Sequence, residues 1–162
     1  LMRQLPEEAN ILQHLSGYLK IPGIKDVHLP EAGGSYTICW ISLKKSFPGH
    51  VQQVMSAAWT HHPTFAKWII VTDDDVDIRD PFVREWILAF RVEPIKDISF
   101  LKNTAPILLD PSSDPAEVPL WERRSSKVMV DATKNWDYPE IALPPKEDLD
   151  KVLGQWEKYG LD

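Results

Sequence analysis

The sequence predicts an α/β domain, a mixed sheet of about five strands with helices packed on its faces and an amphipathic helix near its carboxyl end. Two observations carry this. Apolar residues recur at helical spacing in two segments, Val51, Val54, Met55, Ala58 and Val83, Trp86, Ile87, Phe90, which marks core-facing helices. Short apolar runs alternate with them, the clearest being Trp68 to Val71, which ends in Thr72 and the acids Asp73-Asp74-Asp75. Strand, helix, strand in succession implies a crossover unit.

The elements follow in order. Pro6 to Ser16 reads as a short helix with Glu7 and Glu8 in its first turn, apolar Ile11, Leu12 and Leu15, and Gly17 as its stop. Lys25 to Leu29 and Tyr36 to Leu43 are strands, paired across the turn-prone Pro30-Glu-Ala-Gly-Gly34. A helix from Pro48 to Trp59 is closed off before Pro63, and the strand Trp68 to Val71 follows. Asp80-Pro81 reads as an N-cap with proline at the first helical position, opening a helix to Arg91, and Ile98 to Leu101 resumes as a strand. Between Asn103 and Ser126 the prolines Pro106, Pro111, Pro115 and Pro119 block regular elements and predict an exposed excursion, of the kind that is functional or covered by a partner. Lys127 to Val130 reads as a short strand. Glu147 to Tyr159 reads as a final helix with Leu149, Val152, Leu153 and Trp156 on one face.

At 162 residues and 18.6 kDa the chain suits one domain, 1–162, and 43% hydrophobic residues with seven tryptophans can fill its core. A net charge of -6 and a pI near 5.3 argue against nucleic acid or an anionic membrane as partner. With no membrane-length apolar run and no signal peptide, the expectation is a cytoplasmic protein. The single cysteine, Cys39, lies in the apolar segment Ile38 to Leu43 and reads as a buried, inert thiol. The opening Leu1-Met2 suggests a piece of something longer, while a helix closing near the last residue suits a natural carboxyl terminus.

Candidate chemistry is concentrated in a few places. Asp73, Asp74 and Asp75, with Asp77 and Asp80 nearby, could hold Mg²⁺ or Mn²⁺ through oxygen ligands, or could be a solvated strand end whose last acid caps the next helix. His61 and His62 could donate to a phosphate and titrate near neutrality, or could be exposed loop residues; as neighbours they point apart and make a poor joint metal site. Lys44-Lys45 precede a helix amino terminus, where an anion is favoured, and Arg123-Arg124 beside Trp121 suggest a subunit boundary. No nucleophile elbow, P-loop or dinucleotide fingerprint is present.

Three segments carry a resemblance when read together: Ile41-Ser-Leu-Lys-Lys-Ser-Phe-Pro-Gly-His50, Ile69-Ile-Val-Thr-Asp-Asp-Asp-Val-Asp77 and Ser126-Lys-Val-Met-Val-Asp-Ala-Thr-Lys134. In order and spacing the chain resembles the carboxyl-terminal domain of UbiD-type decarboxylases, the polyprenyl-hydroxybenzoate decarboxylase family, from about Pro22 through the final helix. The resemblance implies a parent enzyme that uses prenylated FMN, with a divalent metal at its phosphate, to add or remove carbon dioxide on aromatic or α,β-unsaturated acids. It implies that the flavin sits mainly on a preceding split-barrel domain, absent here, which also carries the catalytic arginine and glutamates. This chain would then bind no cofactor tightly alone. It would build a dimer or higher oligomer and close one wall of the cleft against a flavin-binding domain or subunit and the acid substrate. In the family the connection holding His61 and His62 lies near the flavin, which makes these two the cofactor-facing candidates; the lysine that relatives place there has no counterpart before Lys67. The alternative function is a stand-alone metal-dependent nucleotide-sugar or phosphoryl transferase built on Asp73 to Asp75.

Overall fold

The computed structural model describes residues 4–113, 117–119, 121–139 and 144–160. The elements run α1 (Gln4–Leu12), continued by a π-helical turn Gln13–Tyr18, then β1 (Ile24–His28), β2 (Ile38–Leu43), α2 (His50–Trp59), β3 (Trp68–Asp73), α3 (Pro81–Phe90), a single turn α4 (Pro94–Asp97), β4 (Ile98–Thr104), β5 (Ser125–Ala132) and α5 (Lys146–Leu153) with a 3₁₀ turn Trp156–Tyr159. No helix among the described residues is long and apolar enough to cross a membrane.

The five strands form one mixed sheet in the order β1-β2-β3-β5-β4. The centre, β2, β3 and β5, is parallel, and both outer strands run antiparallel to their neighbours. The β1–β2 pair confirms the pairing expected across Pro30 to Gly34, where a 3₁₀ turn ends on Gly34 in the left-handed region, at φ 61°. The crossover reading holds for β2–α2–β3 but needs correction after β3. The strand that follows α3 does not return beside β3; β5 takes that place, leaving β4 antiparallel at the edge. Helical and strand periodicity report where elements lie, and pairing is decided by long-range burial.

Side-chain alternation splits the interior into two cores. Cys39, Ile41, Leu43, Ile69 and Val71 face α1 and α2, meeting Ile11, Leu15, Val54, Met55 and Ala58. Trp40, Ile70, Val128 and Val130 face the other way, onto Ile87 with Val83 and Trp86 of α3. The parallel strands are buried on both faces, which is why they read as continuous apolar runs. Cys39 is fully buried, and burial pushes its thiol pKa far up, so it is the inert residue expected.

Asp80 caps α3 as read, its carboxylate accepting the Phe82 N–H at 2.8 Å ahead of Pro81. Two helix ends differ from expectation. Gly17 does not stop the first helix, because the backbone widens into the π turn and the Leu19 and Ile21 N–H groups close onto the His14 and Leu15 carbonyls. The last helix breaks at Gly154 instead of running to Tyr159, and no residue of α5 or the 3₁₀ turn is buried.

Candidate functional site

The parallel strands end in register, with Leu43 opposite Asp73 and Thr72 opposite Ala132. The turns after them therefore gather Lys44 to His50, Asp73 to Asp80 and Thr133 to Asn135 along one edge of the sheet, and the acid run belongs to this edge. Asp73 is half-buried and its carboxylate accepts the Lys134 N–H at 2.6 Å. Burial pushes the Asp73 carboxyl above its ordinary range, opposed by that hydrogen bond and by Lys45. Asp75 meets both terminal nitrogens of Arg91 at 3.0 Å and the Lys134 ammonium at 2.5 Å. Partial burial raises its pKa, but the Arg91 and Lys134 hydrogen bonds and charges together outweigh this and hold it below the usual range. Asp74 is exposed and makes no ion pair among the described residues.

Arg91 explains the arrangement. It closes α3, is 4% exposed, and lies with its guanidinium 5.5 Å from the Trp86 ring centroid. A buried guanidinium needs a carboxylate, and Asp75 supplies both oxygens in fork geometry. The acid run is thus where the β3–α3 loop neutralises cations from two directions. As a metal site it fits poorly: Asp73 and Asp75 are already engaged, and among the described residues no three His, Cys, Asp or Glu side chains converge on a point where an ion could sit. No step is derived through a metal here. Sequence reading missed Arg91, because a basic residue at a helix end is read as an ordinary C-terminal charge.

The opposite edge, where β2 and β3 begin, carries the histidines. His61 packs on α1 and its π turn: Nε2 lies 3.2 Å from Glu7 Oε1, and its ring meets His14 edge-on at 5.4 Å. His62 turns the other way, with Nδ1 2.9 Å from Thr64 Oγ1 and 3.4 Å from the Tyr36 hydroxyl. The two imidazoles do not share a ligand, as their adjacency implied. Tyr36 also lines an open depression of about 420 Å³ whose walls include Ile38, Trp68, Ile107 and Leu109, with Lys67 and Asp110 at its polar side. Lys67 is ion-paired to Asp110 at 2.9 Å. Burial raises the Asp110 carboxyl, but hydrogen bonds from Ser112 and the Lys67 ammonium pull it below its ordinary value. The proline-rich excursion therefore returns across the start of β3 and supplies half of this depression, with Leu109 88% exposed on it. A flavin seated here would need a cradle of cations for its phosphate; Lys67 is already committed and His62 stands by itself, so these residues suit a wall facing a cofactor and not its seat.

Two further groups were not found from sequence. Lys127 is 4% exposed without a carboxylate partner; its ammonium donates to the Pro63 and Phe65 carbonyls at 3.0 and 2.5 Å, beside the Trp59 ring. Burial lowers its pKa to about 8. It pins the connection that carries His61 and His62 from below. Glu8, also 4% exposed, accepts from the Leu29 N–H at 2.8 Å, His28 Nδ1 at 2.9 Å and Arg79 Nη1 at 3.1 Å, while Arg79 forks onto Asp26. Read as a first-turn surface acid, Glu8 is instead the link between α1, β1 and the β3–α3 loop. The Arg123 side chain of the excursion donates to the Val118 carbonyl at 2.6 Å, and Trp121 beside it is 84% exposed.

Comparison with known proteins agrees with this architecture. The family model described as the 3-octaprenyl-4-hydroxybenzoate carboxy-lyase C-terminal domain matches residues 1–132, so it starts earlier than the motifs suggested and ends at β5, before the final helix. Among solved structures, the UbiD-class enzyme HmfF from Pelotomaculum thermopropionicum in complex with FMN is similar at 29% identity and a TM-score of 0.73, over 91% of this chain and 32% of that one. An evolved dimeric form of HmfF in complex with prenylated FMN gives 28% and 0.65, over 90% and 28%. The 3,4-dihydroxybenzoic acid decarboxylase from Enterobacter cloacae gives 25% and 0.71, over 92% and 32%. The chain spans about a third of the length of these structures. With the strand order, the buried parallel centre and the motif-bearing edges in agreement, this chain belongs to the family of 3-octaprenyl-4-hydroxybenzoate carboxy-lyase C-terminal domains.

Proposed function

We propose that this domain is the assembly and cleft-wall part of a prenylated-FMN-dependent decarboxylase or carboxylase acting on an aromatic or α,β-unsaturated acid. The flavin and a divalent metal at its phosphate are held chiefly outside this chain, by a further domain or subunit. The observation that carries the reading is the open depression at the amino ends of β2 and β3. It is walled by Ile38, Trp68, Ile107 and Leu109 with Tyr36 at its rim, the mostly apolar, sparsely polar make-up of a surface that receives a flat organic molecule. His62 borders it and is the residue of this chain placed to meet cofactor or substrate; His61, turned to Glu7, steadies the loop from behind.

Assembly is supported by apolar surface elsewhere. Phe90, Ile95 and Phe100 are 68%, 90% and 66% exposed around the β4 edge, and Leu153 and Trp156 of the terminal segment are 63% and 47% exposed. Contiguous exposed aromatic and aliphatic side chains mark surfaces that another chain or domain covers. The evolved dimeric HmfF structure supports self-association as the form this takes.

The test is made on the intact holoenzyme. Carboxylate exchange with ¹³C-bicarbonate is followed over a panel of aromatic and unsaturated acids, for wild type and for Ile107→Ala and Leu109→Ala. The expected result is a raised KM for the acid with an unchanged flavin spectrum. Unchanged kcat/KM in both variants means that the depression is not part of the cleft.

A further inference from the structure

The turn between β2 and α2, Lys44 to Gly49, encloses a cavity of about 450 Å³ at the opposite end of the strands from the depression described above. It collects donors without acceptors. Gly49 is the N-cap of α2, at φ 80°, and has no side chain with which to cap it. The His50 and Gln53 N–H groups reach the Phe47 and Gly49 carbonyls, whereas those of Val51 and Gln52 have no acceptor among the described residues. His50 itself is fully buried and lines the cavity, its ring stacked on Phe47 at 4.2 Å. Its Nδ1 accepts the Ser46 N–H at 3.2 Å, which puts the ring proton on Nε2, and Nε2 has no partner. A buried imidazole N–H left unmet costs about 1–3 kcal/mol, so a polar group that stays this way is usually completed by a ligand or water.

The charges on the walls select what completes it. Lys45 stands on one side, donating to Thr133 Oγ1 at 3.0 Å and to the Lys134 carbonyl at 3.1 Å. Asp131 stands on the other, one of its oxygens taken by the Thr133 hydroxyl and N–H. These two charges offset one another. What remains is the helix amino terminus, equivalent to about half a positive charge, and three neutral N–H donors. Such a site suits a single negative charge and disfavours a dianion. Phe47, 42% exposed, and Pro48 give the cavity an apolar lip, and nothing lies within 4 Å of where a Gly49 side chain would begin, so the approach is open.

We propose that the β2–α2 turn binds the carboxylate of a small organic monoacid. The Val51 and Gln52 N–H groups and His50 Nε2–H donate to its oxygens, and its apolar part rests on Phe47 and Pro48. Sodium benzoate is titrated into the ¹⁵N-labelled chain at constant ionic strength, with sodium chloride as the control and inorganic phosphate as a separate arm. Saturable shifts confined to the Val51 and Gln52 amides and the His50 ring are expected with benzoate, and weaker ones with phosphate. His50→Asn keeps an acceptor for Ser46 while removing the Nε2 donor, and is expected to bind benzoate about tenfold more weakly. No saturable benzoate shift at these amides, or phosphate binding tighter than benzoate, overturns the proposal. Both outcomes are read on wild type, so they stand even where the variant fails to fold.

Discussion

Removing the Asp75 carboxylate tests whether the acid run at the end of β3 is a charge sink or a metal site. Arg91 has a side chain 3% exposed, and Asp75 accepts from both of its terminal nitrogens. Breaking a fully buried pair costs about 3–5 kcal/mol, because the remaining charge is stranded. Asp75 is 37% exposed and Asp73 lies 3.8 Å from Arg91 as a partial substitute, so the figure is discounted for solvent screening to about 2–3 kcal/mol. Asp75→Ala should therefore lower the urea midpoint by about 1 M at neutral pH, at an unchanged slope of about 2 kcal/mol/M. Asp74→Ala, one residue away and exposed, should move it by no more than about 0.5 kcal/mol. The folded Asp75 pKa is depressed, so its stabilisation is present above the unfolded carboxylate range and is lost as pH falls through the folded value. Far-UV circular dichroism against urea, with and without Mn²⁺, reads all of this. Equal losses in the two variants, or a Mn²⁺-dependent rise in the wild-type midpoint that disappears in both, refutes the charge-sink account.

Glu8→Ala should destabilise by about 3–5 kcal/mol, since it leaves the buried His28 and the Leu29 N–H without an acceptor and removes one partner of Arg79; a loss under about 1 kcal/mol in chemical denaturation contradicts the linking role. Asp80→Ala removes the cap of α3 and should cost about 1 kcal/mol by the same measurement, with Asp80→Asn nearly neutral. Lys127 has a folded pKa of about 8 against its ordinary 10.5, so the unfolded chain holds the proton more tightly between those values. The penalty for burying its charge is fully present below pH 8 and is relieved as pH rises toward 10.5, by up to about 3 kcal/mol. Wild type should gain stability over that window relative to Lys127→Met, and parallel curves for the two proteins mean that the ammonium is not held in a dry site.

Most of the elements were legible because local chemistry specifies them. Helical spacing at Val51, Val54, Met55 and Ala58 requires one apolar face, and Asp80-Pro81 supplies a cap and a pre-set φ whatever surrounds them. The apolar runs of β2, β3 and β5 announce strands covered on both faces, and three motifs in order were enough to indicate the family. What the sequence could not determine is which strand lies beside which, and therefore which side chains meet. β5 enters between β3 and β4 because its Val128, Val130 and Ala132 complete the core under α3, a burial visible only once all the elements are assembled. The same long-range choice brings Lys134 to Asp73 and Asp75, Glu8 to Arg79, and Lys127 beneath Pro63 and Phe65, across separations of 61 and 59, 71, and 64 and 62 residues. An acid's partner is set by tertiary distance and its pKa by burial, and neither is a property of its neighbours in the chain.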